Sequence, residues 1–369
     1  MLFAVVMAGG SGTRFWPESR AKCPKQLLSM LGGESMIRST VGRLGSLVPT
    51  ERSLVATTAL LAEPIARALP ELSEDAILIE PCKRDTAPAI GLAALHVVKK
   101  SSKGIMAVMP SDHVIQTDTA FQRAIRFAAS LVEEDPKRLI TFGIRPSYPA
   151  ESFGYIERDK PLATNAPAPP FEDDTPGVYE VKKFHEKPKA DVAQSYLNQG
   201  GYYWNSGIFV WRAQTILDAI AKFQPEMYEH LMVIGRAIGK SDYQEVLQRE
   251  FEAIRPISID LGVMEYVSGV VVIEAPFEWD DVGSWRAIER LRETDQHGNV
   301  IDAARYIGLD TSGTIVRSAD PNHVVVTMGV EDLIVIVTPD ATLVANKKSE
   351  ESIRQVTREL DERGWKEYL

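Results

Sequence analysis

The stretch Leu2–Gln26, LFAVVMAGGSGTRFWPESRAKCPKQ, decides how this chain is read. Leu2-Phe3-Ala4-Val5-Val6 is a short apolar run of the kind that forms a buried strand. Gly9, Gly10 and Gly12, with Ser11 and Thr13, follow as a loop free of side-chain bulk, whose backbone N–H groups can approach a phosphate chain. Arg14 adds a planar cationic fork and Lys25 a mobile point charge. From Arg14 to Lys25, the basic residues Arg14, Arg20, Lys22 and Lys25 stand against the single acid Glu18, in a chain whose formal charge is −10. An anionic ligand is the simplest reason for that reversal. The plain alternative is a strand-to-helix turn with solvated basic residues. The stretch fits neither G-x-x-x-x-G-K-S/T nor G-x-G-x-x-G, so neither common nucleotide fingerprint describes it.

The remaining composition narrows the class. A chain of 369 residues, 44% hydrophobic and 25% charged, reads as a globular main domain with a smaller appendage. The acidic balance excludes a duplex nucleic-acid binder, which needs a broad basic surface. Cys23 and Cys82 make neither a disulfide framework nor a metal quartet. No apolar run approaches the ~20 residues of a membrane helix, and no basic leader precedes the first strand. The expectation is a cytoplasmic protein with no nucleic-acid or membrane partner.

Through residue 145 strands and helices alternate. Strands are expected at 2–7, 53–57, 76–79, 105–109 and 139–142, and helices near 35–46, 59–69, 87–100 and 118–134. Such alternation of short apolar strands with helices predicts an α/β fold with a sheet covered on both faces, its ligands at the carboxyl ends of the strands. Pro161–Pro176 reads as an inserted surface loop with a solvated acidic run, Glu172-Asp173-Asp174. Helical patterns return at 189–198, 213–222, 226–238, 242–253 and 284–293, with a strand at 270–273. Beyond residue 299 the pattern turns β-rich and closes with a helix from about Ser349 to Glu362, stopped by Gly364. The domain division expected is 1–298 and 299–369.

Two acidic segments carry candidate chemistry. Pro110-Ser111-Asp112-His113 follows a buried strand, and Glu278-Trp279-Asp280-Asp281-Val282-Gly283-Ser284-Trp285 joins a strand to a helix. A carboxylate at a strand end suits Mg²⁺, which takes oxygen ligands together with phosphate oxygens, although in isolation an Asx turn, a helix cap or plain solvation is the commoner use of such acids.

G-G-x-G-T-R followed by P-K resembles the signature of the sugar-nucleotide pyrophosphorylases, and the longer form, with Trp16-Pro17 and Pro24-Lys25-Gln26, resembles the mannose-1-phosphate guanylyltransferase branch. Six further segments are similar to that family in order, across residues 7–285: Glu80–Ile90, Pro110–His113, Phe153–Glu157, Phe184–Pro188, Tyr203–Phe209 and Trp279–Trp285. Asp85 stands where the family commonly has Asn and suits a helix cap better than a base contact.

The resemblance implies a Rossmann-like nucleotidyltransferase domain with a mixed, mostly parallel sheet, and a small C-terminal β-rich domain, partly solenoid-like, that ends in a helix. It implies transfer of GMP from GTP to mannose 1-phosphate, giving GDP-mannose and pyrophosphate. Arg14, Lys25 and Lys187 would be catalytic. Gly9, Gly10, Gly12, Thr13, Arg84 and Ser111 would bind nucleotide, Gly154, Glu186 and Asn205 the sugar. Asp112 and Asp281 would hold Mg²⁺ or another divalent cation such as Mn²⁺, with Asp280 a bystander. A homodimer through the last seventy residues fits the same picture. A pyrophosphorylase for another sugar and base, or a silent sugar-nucleotide sensor, are the alternatives the residues leave open.

Overall fold

A computed structural model describes residues 1–10, 12–166 and 176–369. Ser11 of the glycine loop and most of the Pro161–Pro176 stretch, with Glu172-Asp173-Asp174, lie outside the described residues. The chain forms two compact units interleaved in sequence: Met1–Gly9, Thr40–Ser111 and Ile115–Trp279 make the first, and Gly10–Ser39, Asp112–Val114 and Asp280–Leu369 the second.

The first half of the chain follows the expected alternation: β1 (Leu2–Met7), α1 (Met36–Gly42), β2 (Ser53–Thr58), α2 (Ala59–Ala68), β3 (Ile77–Glu80), α3 (Thr86–Lys100), β4 (Ile105–Pro110), the short β5 (Val114–Gln116), α4 (Asp118–Glu134) and β6 (Leu139–Ile144). Then come β7 (Tyr155–Pro161), β8 (Val178–His185), α5 (Ala190–Gln199), β9 (Tyr202–Arg212), α6 (Ala213–Phe223), α7 (Pro225–Ala237), α8 (Tyr243–Ala253) and β10 (Val270–Glu274). Nine strands form one sheet in the order β3-β2-β1-β4-β9-β6-β10-β8-β7. Following the pairings across it, β8 and β9 alone run against the other seven. The sheet is therefore mixed and mostly parallel. The β1 and β4 interiors are buried because helices cover them, which is why they read as unbroken apolar runs. β7 and β8 carry charged residues on half-exposed faces and lack such a run.

Trp211 and Phe209 of β9 join Phe251, Leu231 and Ile220 in the main core of this unit. The same strand packs tightly at Gly143 of β6, where an added Cβ would meet Tyr203 Cβ at 2.7 Å and Val272 Cγ2 at 2.8 Å.

The second unit contains α9 (Ala287–Leu291), which comes after the short β11 (Glu278–Asp280), and then a stack of short strands. β12 (Val300–Asp302), β14 (Ile315–Ser318) and β16 (Leu333–Val337) are parallel and in register, with β17 (Thr342–Asn346) antiparallel at the edge. β13 (Tyr306–Ser312) and β15 (Val325–Glu331) pair in parallel as a second ribbon. Parallel strands stacked through successive turns are a β-helix arrangement. The expected closing helix is split into a 3₁₀ turn, Lys347–Ser352, and α10 (Ile353–Glu362), and Gly364 ends it at φ +75°.

The residues after Gly9 fold onto this stack. Trp16 and Phe15 share one apolar cluster with Trp285, Ile315, Ile334, Ile353 and Leu360. The Trp16 indole donates to the Tyr368 carbonyl at 2.9 Å, and the Trp285 indole to the Trp16 carbonyl at 3.2 Å. Arg317 of β14 pairs with Glu18 at 2.6 Å and Asp302, and also donates to the Ser29 carbonyl at 2.9 Å.

Gly143→Ala should lower the thermal unfolding midpoint, because the overpacked contacts are a Cβ and a β-branched side chain that cannot swing aside; the loss expected is about 1–3 kcal/mol. Circular dichroism melting would read it, and an unchanged midpoint would show that β9 and β10 can part at no cost.

Candidate active site

The turn Thr13–Phe15 begins at Gly12, whose φ of +58° lies in the left-handed region. An added Cβ there would sit 2.6 Å from both the Lys25 nitrogen and its Cβ. Gly12 is thus required both by conformation and by the Pro24–Lys25 backbone crossing over it. That crossing buries Lys25 to 5% exposure. Its ammonium donates to Asp112 Oδ2 at 2.9 Å and to the Asp281 carbonyl at 2.6 Å. Arg14 Nη1 donates to the Gly283 carbonyl at 2.8 Å. Gly12, Thr13, Arg14, Lys25, Asp112, His113, Asp281 and Gly283 line a polar cavity of about 470 Å³ within the second unit, and Arg354 of α10 completes the wall.

Burial drives the Asp112 carboxyl upward, but Lys25 and His113, with hydrogen bonds from Lys25 and the local backbone, hold it below the ordinary aspartate range. Burial raises Asp281, and Asp280 adds to the rise against the pull of Lys25, Arg290 and Arg14. Asp280 itself faces Arg290, at 2.6 and 3.0 Å, and accepts the Val282 N–H at 2.7 Å. This clamp holds Val282, fully buried, at φ +47°, a conformation that a β-branched residue adopts only under strain. The kink turns two carbonyls, those of Asp281 and Gly283, toward Lys25 and Arg14.

The basic concentration has two uses. Arg14 and Lys25 line the cavity, whereas Arg20 pairs with Asp340 at 3.0 Å beside the Trp16 ring, and Lys22 is exposed. Cys23 is partly buried and its thiol is pushed up by burial and Glu18, so it is a passive neighbour.

A second constellation lies wholly in the first unit. Glu186 and Lys187 follow β8, paired at 2.7 Å, with Lys187 at φ +42°. Gly154 leaves room for the acid, since an added Cβ would stand 2.9 Å from Glu186 Oε2. The Gly154 carbonyl accepts the Asn205 N–H at 2.8 Å. Asn205 Nδ2 donates to Asp260 Oδ1 at 2.8 Å, and Asn205 Oδ1 accepts from Gly207 N–H at 3.2 Å with the Thr141 hydroxyl at the same distance. The amide is therefore fixed in one orientation. Asp260, on a single π-turn (Asp260–Met264), is pushed up to about 6 by burial and by Glu186. Nothing in its own sequence neighbourhood marks it; the loop 257–259 is tied to the start of α3 by Ala87 N–H to Ile257 O and Ile259 N–H to Thr86 Oγ1.

The other predicted nucleotide residues lie apart from this group. Asp85 caps α3 through the Thr86 N–H at 2.7 Å. Arg84 donates to the Glu252 carbonyl at the end of α8. Ser111 is buried, its N–H bonded to the Met7 carbonyl at 3.1 Å. Gly9 faces Glu80, whose Oε1 would be 3.7 Å from an added Cβ. Glu80 is 6% exposed and pushed up to about 8 by burial and Asp85, against the pull of Lys83. A carboxyl kept neutral near pH 7 both donates and accepts hydrogen bonds, a capacity the sequence reading did not assign it.

Comparison with known proteins follows the same outline. A nucleotidyl transferase family model matches residues 3–298, and a mannose-phosphate isomerase/GMP-like β-helix domain model matches residues 304–360. A mannose-1-phosphate guanylyltransferase of Klebsiella pneumoniae is 36% identical over all of this chain and 76% of its own length, and one of Escherichia coli is 35% identical over the same shares. The chain belongs to the mannose-1-phosphate guanylyltransferase family. A solved structure from Thermus thermophilus, described as a mannose-1-phosphate geranyltransferase, is 34% identical and superimposes with a TM-score of 0.83 over 98% of this chain and 99% of its own.

Glu80 gives a pH test. Between the unfolded carboxyl value of about 4.3 and the folded value near 8, the folded protein holds a proton that the unfolded chain has lost. Stability therefore falls as pH rises through that window, by up to ~1.4 kcal/mol per pH unit, and levels off above it. Glu80→Gln should flatten the fall in thermal midpoint between pH 5 and 8; equal slopes in both proteins would mean that Glu80 titrates normally.

Proposed function

We propose that this enzyme transfers GMP from GTP to mannose 1-phosphate, giving GDP-mannose and pyrophosphate. Family membership supports the reaction, and the observation that carries the chemistry is the buried Lys25 ammonium beside Arg14, Asp112 and Asp281 in one polar cavity. A phosphate oxygen of mannose 1-phosphate forms a bond to the α-phosphorus of GTP while the bond from that phosphorus to the β-bridging oxygen breaks. The electron pair leaves with pyrophosphate. No covalent enzyme intermediate is needed, so the protein's work is to position two anions and offset their repulsion.

In this reading Arg14 and Lys25 hold the β- and γ-phosphates and stabilise the charge on departing pyrophosphate. Gly9, Gly10, Gly12 and Thr13 let backbone approach the nucleotide, with Arg84 and Ser111 supporting that side. Glu186 and Asn205 accept and donate to sugar hydroxyls beside Gly154, and Lys187 binds the sugar phosphate.

Asp112 and Asp281 fit a divalent cation. They are hard oxygen donors lining one cavity, and among the described residues no cluster of three His, Cys, Asp or Glu forms an all-protein cage. Two carboxylates completed by phosphate oxygens and water suit Mg²⁺, with Mn²⁺ as a substitute. When bound, the ion would neutralise phosphate charge and polarise the P–O bonds.

A homodimer through the small β-rich domain is part of the same proposal. Ile307, Leu309, Val326 and Met328 stand in register on one face of the β13–β15 ribbon, each at least half exposed. No helix among the described residues is long and apolar enough to cross a membrane, and a reducing cytoplasm suits the two free cysteines.

The test is pyrophosphate release from purified protein, crossing GTP, ATP, UTP and dTTP with mannose 1-phosphate and glucose 1-phosphate. Release confined to GTP with mannose 1-phosphate, and abolished by chelation, is expected. Preference for another pair would assign a sister activity, and sugar-nucleotide binding without release a sensor. Two variants separate the roles. Arg14→Ala should lower kcat by about 10²–10³ with little change in the KM for mannose 1-phosphate. Asn205→Ala should raise that KM roughly tenfold while kcat changes less. Normal turnover in Arg14→Ala would remove the leaving-group role.

A further inference from the structure

The wall of the phosphate cavity includes a cation from far along the chain. Arg354 stands in the first turn of α10, in the segment matched to the β-helix domain rather than to the nucleotidyl transferase model. Its helix is fixed in place: Ile353 and Leu360, 3% and 8% exposed, are buried in the cluster that holds Phe15, Trp16 and Trp285. The chain beyond is anchored by the Trp16 indole on the Tyr368 carbonyl. α10 and the turn Thr13–Phe15 are therefore parts of one packed body within the second unit.

The cations of the cavity differ in how they are engaged. Lys25 is committed to Asp112 and to the Asp281 carbonyl, and Arg14 spends one nitrogen on the Gly283 carbonyl. Among the described residues Arg354 makes no side-chain hydrogen bond or ion pair, and its side chain is exposed where it meets the cavity. Two described acids of the same segment have other partners: Glu350 faces Arg286, and Glu359 faces Arg363. Among the described residues nothing gives this guanidinium, set over a cavity that already holds two cations, a stabilising role for the fold. It has the planar donor fork that matches phosphate oxygens.

We propose that Arg354 is a phosphate-binding residue that grips the β- and γ-phosphates of the nucleotide and the pyrophosphate product, so that the C-terminal helix supplies part of the active site. The inference rests on the nucleotidyltransfer reading above and adds to it a third arginine or lysine, drawn from the small domain. Because the contact is with the triphosphate tail, losing it affects ligands that carry the tail and spares those that lack it.

The experiment compares wild type, Arg354→Ala, Arg354→Gln and Arg354→Lys by titration calorimetry with GTP, pyrophosphate and GMP, each with Mg²⁺, alongside thermal melting and steady-state kinetics. The expected result is GTP and pyrophosphate binding weakened about tenfold or more in the Ala and Gln variants, the size of one charge-assisted contact. GMP binding and the KM for mannose 1-phosphate should change less than about twofold, melting should be unaltered, and Lys should restore part of the loss. Unchanged affinity for GTP and pyrophosphate would overturn the proposal. So would equal weakening of GTP and GMP in a variant that melts normally, which would point to the base or to the fold. If wild type binds GTP but forms no sugar nucleotide, the reaction fails while the GTP-against-GMP comparison still decides Arg354. If wild type binds no nucleoside triphosphate, both fall together.

Discussion

A buried ammonium organises the polar cavity proposed to hold the phosphates. Removing an ammonium from water costs several kcal/mol unless its donors are met, and Lys25 meets that cost with one carboxylate and one carbonyl. Both partners come from segments remote in sequence, Asp112 and Asp281, so the lysine fixes three pieces of chain at one point. The Phe15 ring, 5.7 Å from the ammonium, closes one side. The same arrangement dictates local sequence. Gly12 has to be glycine because the Lys25 backbone passes where its Cβ would be, and Val282 must take a left-handed φ so that the Asp281 carbonyl can turn inward. The strain at Val282 is tolerable because Asp280, clamped by Arg290, accepts its N–H.

The Asn205 amide plays the corresponding part in the first unit. With Oδ1 committed to Gly207 and Thr141 and one N–H to Asp260, the amide cannot flip. The hydroxyl-reading role proposed for it requires a donor or an acceptor, not an average of both, and the surrounding bonds remove the ambiguity. Asp260 is held there by the ties between 257–259 and the start of α3, which makes the Glu80–Ile90 segment useful for more than its own side chains.

These features explain which parts were legible beforehand. β1, β2, β4 and β6 are covered on both faces and read as apolar runs; β7 and β8 are half exposed and charged, and carry no comparable signal. Arg14, Lys25, Asp112 and Asp281 stand in recognisable segments and come together in one cavity. What local sequence cannot show is the use of a residue settled by a distant partner. Arg20 reads as part of a basic cluster but pairs with Asp340, Gly12 reads as room for phosphate and is room for the Lys25 backbone, and neither Asp260 nor Arg354 lies in a marked segment.

The interleaving of the two units changes how the small β-rich segment should be regarded. By sequence similarity it begins after residue 298, as a module following the nucleotidyl transferase part. By packing, residues 10–39 and Asp112 belong with it. Trp16 hangs on Tyr368, Glu18 and Ser29 on Arg317, and Phe15 on Trp285, so the loop carrying Arg14 and Lys25 has much of its support from residues beyond 280. A loop positioned by its own glycines would hold its charged groups loosely, because glycines widen the conformational choice. One seated on an apolar cluster and buried ion pairs holds them to a single geometry, which electrostatic stabilisation of a leaving group demands. The β-helix stack is thus the support on which the loop carrying Arg14 and Lys25, the proposed phosphate-binding side of the enzyme, is built.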